Sequence, residues 1–317
     1  MEEEAFPGLQ ISSWSFLDDL SGRASCPKCE KSRKYYCYNC YVPTKETKGL
    51  IPKVKLPLKI DIIKHPNECD GKSTSAHAAV LAPNHVNVYT YPCIPNYPDP
   101  NKVLLLFPGP EALTLEELAA KGDMKCKDDK CSTENVLGEN SSTVEDSTTH
   151  VIGKNGETSS PSSATDNDNV PASGKRKADS DKDNLVVKKR RTEPPFDTVV
   201  VIDSTWNQTK RISSDERLKD LTKIELKSRE TKFWRHQKDN PSTYLSTVEA
   251  VYYLVRDYHD LFVLTDYAGE YDNLLFFFSF MYQKIRKLYD GGKNLKAFKE
   301  RSDRKAKEMD HKMPNKS

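Results

Sequence analysis

Short aliphatic blocks that stop abruptly in polar or proline-containing turns recur along this chain. They are Leu58–Ile63 before Lys64-His65-Pro66, Val86–Tyr91 before Pro92, Val103–Phe107 before Pro108-Gly109-Pro110, and Thr198–Ile202 before Asp203. The blocks VLLLF and TVVVI do not alternate apolar with polar, which is the pattern of strands buried on both faces. Helix starts are predicted where Ser or Thr is followed at capping-box spacing by Glu: Thr114/Glu117, Ser213/Glu216 and Ser246/Glu249. After the last come Val248, Val251, Tyr252 and Val255 at helical spacing, and Leu274–Leu288 reads as a strongly apolar closing helix. Strands alternating with capped helices predict an α/β domain around a mainly parallel sheet. Ligands of such sheets sit beyond the carboxyl ends of the strands. Three polar motifs fall there: His65-Pro66-Asn67-Glu68, Phe107-Pro108-Gly109-Pro110-Glu111 and Asp203-Ser204-Thr205-Trp206.

Composition then divides the chain. Of 317 residues, 30% are charged and only 36% apolar. The shortfall has an address, because no Phe, Tyr or Trp occurs between Pro108 and Pro195 although the chain carries 11, 15 and 3 of them. A segment that polar cannot bury enough surface to offset its chain entropy, so residues 121–195 are expected to be a disordered insert. The expected organisation is a disordered N-terminus over 1–22, a small metal ribbon over 23–45, one catalytic domain made of 46–120 and 196–290 around the insert, and a basic tail over 291–317. An interruption of this kind is tolerated because loop-closure entropy grows only logarithmically with length.

Charge sharpens that picture. The net charge of +2 averages 49 basic and 47 acidic residues and conceals local clusters. Lys175-Arg176-Lys177 and Lys188-Lys189-Arg190-Arg191 resemble a bipartite nuclear import signal, which points to the nucleus. No apolar run approaches the ~18 residues of a membrane span, and the opening Glu2-Glu3-Glu4 has the wrong sign for a signal peptide. A membrane protein and a secreted disulfide scaffold are poor readings.

The cysteines carry the strongest local signal. Cys26-Pro-Lys-Cys29 and Cys37-Tyr-Asn-Cys40 supply four soft ligands at the spacing of a tetrahedral site, for which zinc is the usual occupant. Four thiolates leave no open position, so the ion is expected to be structural. Its neighbours Lys28, Arg33, Lys34, Tyr35 and Tyr36 are candidates for RNA contact. Cys69, Cys93, Cys126 and Cys131 lack such spacing.

Asp203-Ser204-Thr205-Trp206 is the candidate chemical centre, although an Asp at a strand end also caps turns. Lys232-Phe233-Trp234-Arg235-His236 mixes cations with aromatics, as a base-stacking or phosphate-contacting loop does. In Leu245-Ser246-Thr247-Val248-Glu249-Ala250, Glu249 is either the capping partner of Ser246 or a ligand for an amine. Together these segments resemble the DTW-domain family of tRNA-uridine aminocarboxypropyltransferases. The similarity runs in the family's order: the paired C-x2-C motifs, His65–Glu68, Phe107–Ala112, Val201–Gln208 (VIDSTWNQ, close to a eukaryotic branch) and Leu245–Ala250. It covers the ordered chain and skips the insert. Bacterial members tend to show Asn-Thr soon after the His-Pro-x-Glu segment, where this chain has Ser73-Thr74-Ser75.

The resemblance implies a SPOUT-like fold, related to the knotted methyltransferases of that name, and S-adenosylmethionine as co-substrate. The transferred group would be the 3-amino-3-carboxypropyl arm, delivered to N3 of a tRNA D-loop uridine (position 20), leaving methylthioadenosine. It assigns Asp203, Thr205 and Trp206 to catalysis, with Asp203 as the base or as the partner of the methionine ammonium, and Glu249 or Glu68 as the next candidate for the base. Pro108, Gly109, Glu111, Arg235, Ser246, Thr247 and Glu249 would hold the cofactor, and His65, Glu68 and Trp234 the RNA. Two rival readings are a SPOUT-like RNA methyltransferase and a non-catalytic zinc-ribbon adaptor that binds RNA.

Overall fold

A computed structural model describes residues 4–128, 194–234 and 241–291, with the side chains of 122–128, Trp206 and Asn207 outside that description. The described residues belong to one unit of the chain, Met1–Asp128 with Lys189–Ser317; a second, Asp129–Lys188, lies outside them, as do the basic clusters and Cys131.

A short helix α1 (Ser15–Asp18) is followed by two small antiparallel ladders, β1 (Ala24–Ser25) with β2 (Ser32–Arg33) and β3 (Tyr36–Cys37) with β4 (Val42–Pro43). Then come β5 (Lys59–Lys64), α2 (Ser75–Leu81), β6 (Val86–Thr90), β7 (Val103–Leu106) and α3 (Leu115–Asp128). After the insert follow β8 (Thr198–Asp203), α4 (Trp206–Ser213), β9 (Thr222–Ile224), α5 (Thr247–Phe262) and α6 (Phe276–Asp290). Strands β5 to β9 form a single five-stranded sheet in the order β6-β5-β8-β7-β9, and every neighbouring pair is parallel. Strands from before and after the insert therefore interleave, with β8 seated between β5 and β7.

The unbroken apolar blocks have the physical cause their pattern predicts. Along β8, Val199 and Val201 join the large core containing α2, α5 and α6, while Val200 faces the smaller core with Ile63, Leu105, Ile212 of α4 and Leu218. Both faces are covered, so neither can be polar. The large core is closed by Phe276, Phe277, Phe278 and Phe280 of α6, all essentially inaccessible to solvent.

Two expectations need correction. The amino-terminal stretch is packed from Ala5 onward: Ala5 and Leu17 are buried, Phe6 lies 5.4 Å from Phe278, and the Gln10 N–H donates to buried Asp272 at 2.7 Å. Its scattered aromatics serve α6 rather than a periodic element of their own, so no pattern announced them. Ser213 starts no helix. It is the last residue of α4, and the following turn is organised by Asp215, whose carbonyl accepts from Leu218 N–H and whose carboxylate pairs with Arg217. By contrast, Thr114 and Glu117 exchange their capping bonds at 3.2 and 2.8 Å.

The ribbon docks on the core through aromatics. Tyr35 meets Phe280 edge-on at 5.1 Å, and Tyr36 lies 4.5 Å from Phe277 and 5.8 Å from His77. Arg33 is buried and stands over Tyr38 at 4.0 Å. These residues, expected to face RNA, face the protein instead; Lys28, Lys31, Lys45 and Lys48 remain exposed. Phe277→Ala should remove the floor beneath Tyr36 and destabilise the protein by about 3–5 kcal/mol, read as a lowered urea midpoint.

Candidate active site

Asp203 is the last residue of β8, and its side chain shares the α2/α5 face with Val201 and Val199. The carboxylate is buried, and neutral hydroxyls from two other elements reach it. Ser73 Oγ donates to Oδ2 at 2.5 Å, from the residue just before the cap of α2. Thr247 Oγ1, on the first residue of α5, donates to Oδ1 at 2.7 Å. Thr74 Oγ1 accepts the Val248 N–H at 3.1 Å and ties those two helix starts together. The amino termini of α2, α4 and α5 thus converge where one carboxylate ends a strand, and helix amino termini favour negative charge.

The motif beside it is set by backbone bonds. Thr205 caps α4 in an extended conformation (φ −69°, ψ 151°), and its N–H donates to Glu68 Oε1 at 3.0 Å. Glu68 is therefore brought to Asp203-x-Thr205 from the end of β5 and neutralises a free donor of α4. His65 extends the parallel ladder by donating its N–H to the Asp203 carbonyl at 2.9 Å, and its Nδ1 accepts from the Asn67 N–H at 3.1 Å. Trp206 opens α4; its side chain is outside the described residues.

Lys64 is the register partner of Asp203 on the neighbouring strand and is itself buried. It is paired with Asp70. On the other side of β8, pairing with β7 reaches Leu106↔Val201, so the turn carrying Pro108, Gly109 and Glu111 starts alongside the last residues of β8. Pro108 and Glu111 are exposed and Gly109 half-buried.

Other assigned residues sit differently. Glu249 is fully buried, and its carboxylate accepts from Ser246 N–H (2.8 Å), Lys232 N–H (2.7 Å) and Thr231 Oγ1 (2.7 Å). It is consumed in holding the 231–232 loop to the start of α5, which corrects its assignment to a ligand amine or to the base. Trp234 packs 4.8 Å from Phe278 of the core, so its ring supports that loop rather than standing free for RNA. Arg235 lies outside the described residues. Sequence reading missed Ser73, Lys64, Asp70 and Tyr41. The first stands in the loop where bacterial-type members differ, which was its only signal.

The four ribbon cysteines meet. Their Sγ atoms all lie within 4.8 Å of one another, with Cys29 and Cys37 3.7 Å apart. Tetrahedral thiolates at the usual zinc–sulfur length stand about 3.8 Å apart, so the set fits such an ion. The two knuckles repeat one geometry. Glu30 and Tyr41 each follow the second cysteine, adopt positive φ (59° and 52°), and donate to the carbonyls of Cys26 and Cys37. Burial alone would raise the Cys37 thiol, but backbone N–H groups of Asn39 and Cys40, with Cys26 and Arg33, hold it at about 6. Burial and the neighbouring sulfurs push Cys40 up to about 12, so binding of an ion would displace protons. Burial first, then the charges of Asp70 and Asp203, push the Tyr41 phenol up to about 12.

Among the described residues no helix is long and apolar enough to cross a membrane. Comparison with known proteins gives a consistent picture. A DTW domain matches residues 34–286. The chain is 45% identical over 293 residues to tRNA-uridine aminocarboxypropyltransferase 1 of Xenopus laevis, covering 90% of this chain and 88% of that protein. The mouse protein of the same name is 44% identical over 298 residues (93% and 88% covered), and the human one 44% over 289 (90% and 84%). No solved structure matches this chain. Cys37→Ser is expected to abolish binding of one metal ion per chain, measured by elemental analysis, and to loosen the ribbon while the parallel sheet persists in circular dichroism.

Proposed function

Since the chain belongs to the DTW-domain family, we propose that it is a tRNA-uridine aminocarboxypropyltransferase whose reaction is centred on Asp203. The observation that carries this is a buried carboxylate, oriented by two hydroxyls at the end of a central parallel strand and facing three helix starts. The co-substrate is S-adenosylmethionine and the acceptor N3 of a tRNA uridine, in the D-loop at position 20.

The chemistry balances with few groups. Asp203 takes the proton from uridine N3, the nitrogen lone pair forms a bond to the carbon attached to sulfonium, and the carbon–sulfur bond breaks to leave neutral methylthioadenosine. A positioned base contributes typically 10²–10⁴-fold. Alignment of nitrogen, carbon and sulfur contributes up to roughly 7–11 kcal/mol in favourable cases. Ser73 and Thr247 serve the alignment, since they fix the carboxylate through one lone pair of each oxygen and leave the others for the substrate. The Phe107–Ala112 turn, which follows β7 beside the end of β8, and the α5 start suit the methionine and nucleoside portions.

Three further assignments follow the same reading. The cysteine cluster holds zinc as a structural ion. An all-parallel sheet whose spatial order departs from chain order supports kinship with the SPOUT methyltransferases, including their knot. The basic clusters at Lys175–Lys177 and Lys188–Arg191 support a nuclear location.

The test is tRNA incubated with the protein and S-adenosylmethionine, followed by mass spectrometry of the nucleosides and of the spent co-substrate. Aminocarboxypropyluridine with methylthioadenosine is expected; methyluridine with S-adenosylhomocysteine would establish the methyltransferase instead. Asp203→Asn should lower the rate by about 10²–10⁴-fold with the melting temperature kept. Full activity in that variant would remove Asp203 from the chemistry.

A further inference from the structure

Lys64 poses a problem of charge. Its ammonium is buried, and a buried cation needs a counter-charge. Two carboxylates are candidates. Asp203 is its register partner on β8, one strand spacing of about 4.8 Å away, with both side chains on the face that Ile62 and Val201 share. Asp70 stands in the loop after β5. Lys64 pairs with Asp70, and Asp203 is left to the neutral hydroxyls of Ser73 and Thr247.

The ribbon decides that choice. Asn39, between the second pair of cysteines, donates its amide to Asp70 Oδ2 at 2.5 Å, while Lys64 takes Oδ1. The side-chain carbonyl of Asn39 accepts from Arg33 at 2.5 Å, and Arg33 is held over the Tyr38 ring. A continuous run of contacts therefore leads from the cysteine knuckle through Asn39 to Asp70 and Lys64. We propose that Asp70, steered by Asn39, sequesters the Lys64 ammonium and so keeps the Asp203 carboxylate available to substrate. Asp70 and Asn39 are positioning residues, and the ribbon is a wall of the active site rather than a separate module. An Asp203 paired with the ammonium would be a weaker base and could not receive a cationic group. The proposal rests on the reading of Asp203 given above.

Asp70→Asn removes the sequestering charge, and Lys64→Met removes the competitor. The Asp70→Asn chain should lose about tenfold or more in kcat. Its metal content and its tRNA affinity should be unchanged, and a crystal structure should show Lys64 Nζ turned onto Asp203. Adding Lys64→Met should restore kcat to near the wild-type value, an outcome that loss of a merely structural contact would not give. Asn39→Ala should act in the same direction with all four cysteines still loaded. Undiminished kcat in Asp70→Asn, failure of the folded double variant to recover, or an inactive Lys64→Met single variant would each overturn the proposal. If the wild-type chain transfers nothing, the functional reading fails, and the position of Lys64 in the Asp70→Asn structure decides this proposal alone: unmoved, it is overturned.

Discussion

A carboxylate at the end of a buried strand cannot leave water unless other parts of the chain bring it donors. Asp203 is met by Ser73 from the loop before α2 and by Thr247 from the start of α5, segments far apart in sequence. Those two helices also cover the same face of the sheet, so the core that packs them against β5 and β8 delivers the hydroxyls as a by-product. The arrangement is demanding. If β8 were an edge strand, or its face polar, the carboxylate would be solvated and would need no such clamp. Its central place between β5 and β7 makes the clamp necessary and makes the anion useful.

The same demand shapes what surrounds it. Lys64, across the strand boundary, must be neutralised elsewhere, and the nearest alternative is Asp70, anchored by a ribbon that itself rests on Phe277 and Phe280. Glu249 supplies a second example of polar groups consumed internally. A fully buried carboxylate with three donors fixes the 231–232 loop to the helix that carries Thr247. Two buried acids in neighbouring positions of one core thus have different fates. Asp203 is held at a strand end by two hydroxyls from separate elements, whereas Glu249 is enclosed by its own loop.

Much of the fold was legible in the sequence because the parallel sheet leaves a local trace. A strand covered on both faces must be apolar at consecutive positions, and Val199, Val200 and Val201 are so in the sequence before any partner is known. The capping exchanges of Thr114 with Glu117 and the bond from Ser246 N–H to Glu249 were legible for the same reason, since they close within four residues. The cysteine knuckles are equally local. The short strand β9 and the seven-residue α2 left no such trace, and Ser213/Glu216 showed the right spacing where the following turn was already organised by Asp215.

The sequence by itself determined the α/β class, the parallel character of the sheet, the cysteine cluster and the strand ends where polar motifs collect, because each depends on contacts within a few residues or on burial of a whole segment. Only the tertiary structure decided which polar residues share a space. Ser73 and Thr247 meet Asp203 from 130 and 44 residues away, Glu249 turns inward, Tyr35 and Tyr36 of the ribbon pack on the core, and Arg33 is buried within the ribbon over Tyr38. These outcomes depend on strand order and on which helix covers which face. A side chain's type does not encode them, because the same carboxylate or ring is stable in either setting once its donors or its packing partners are supplied.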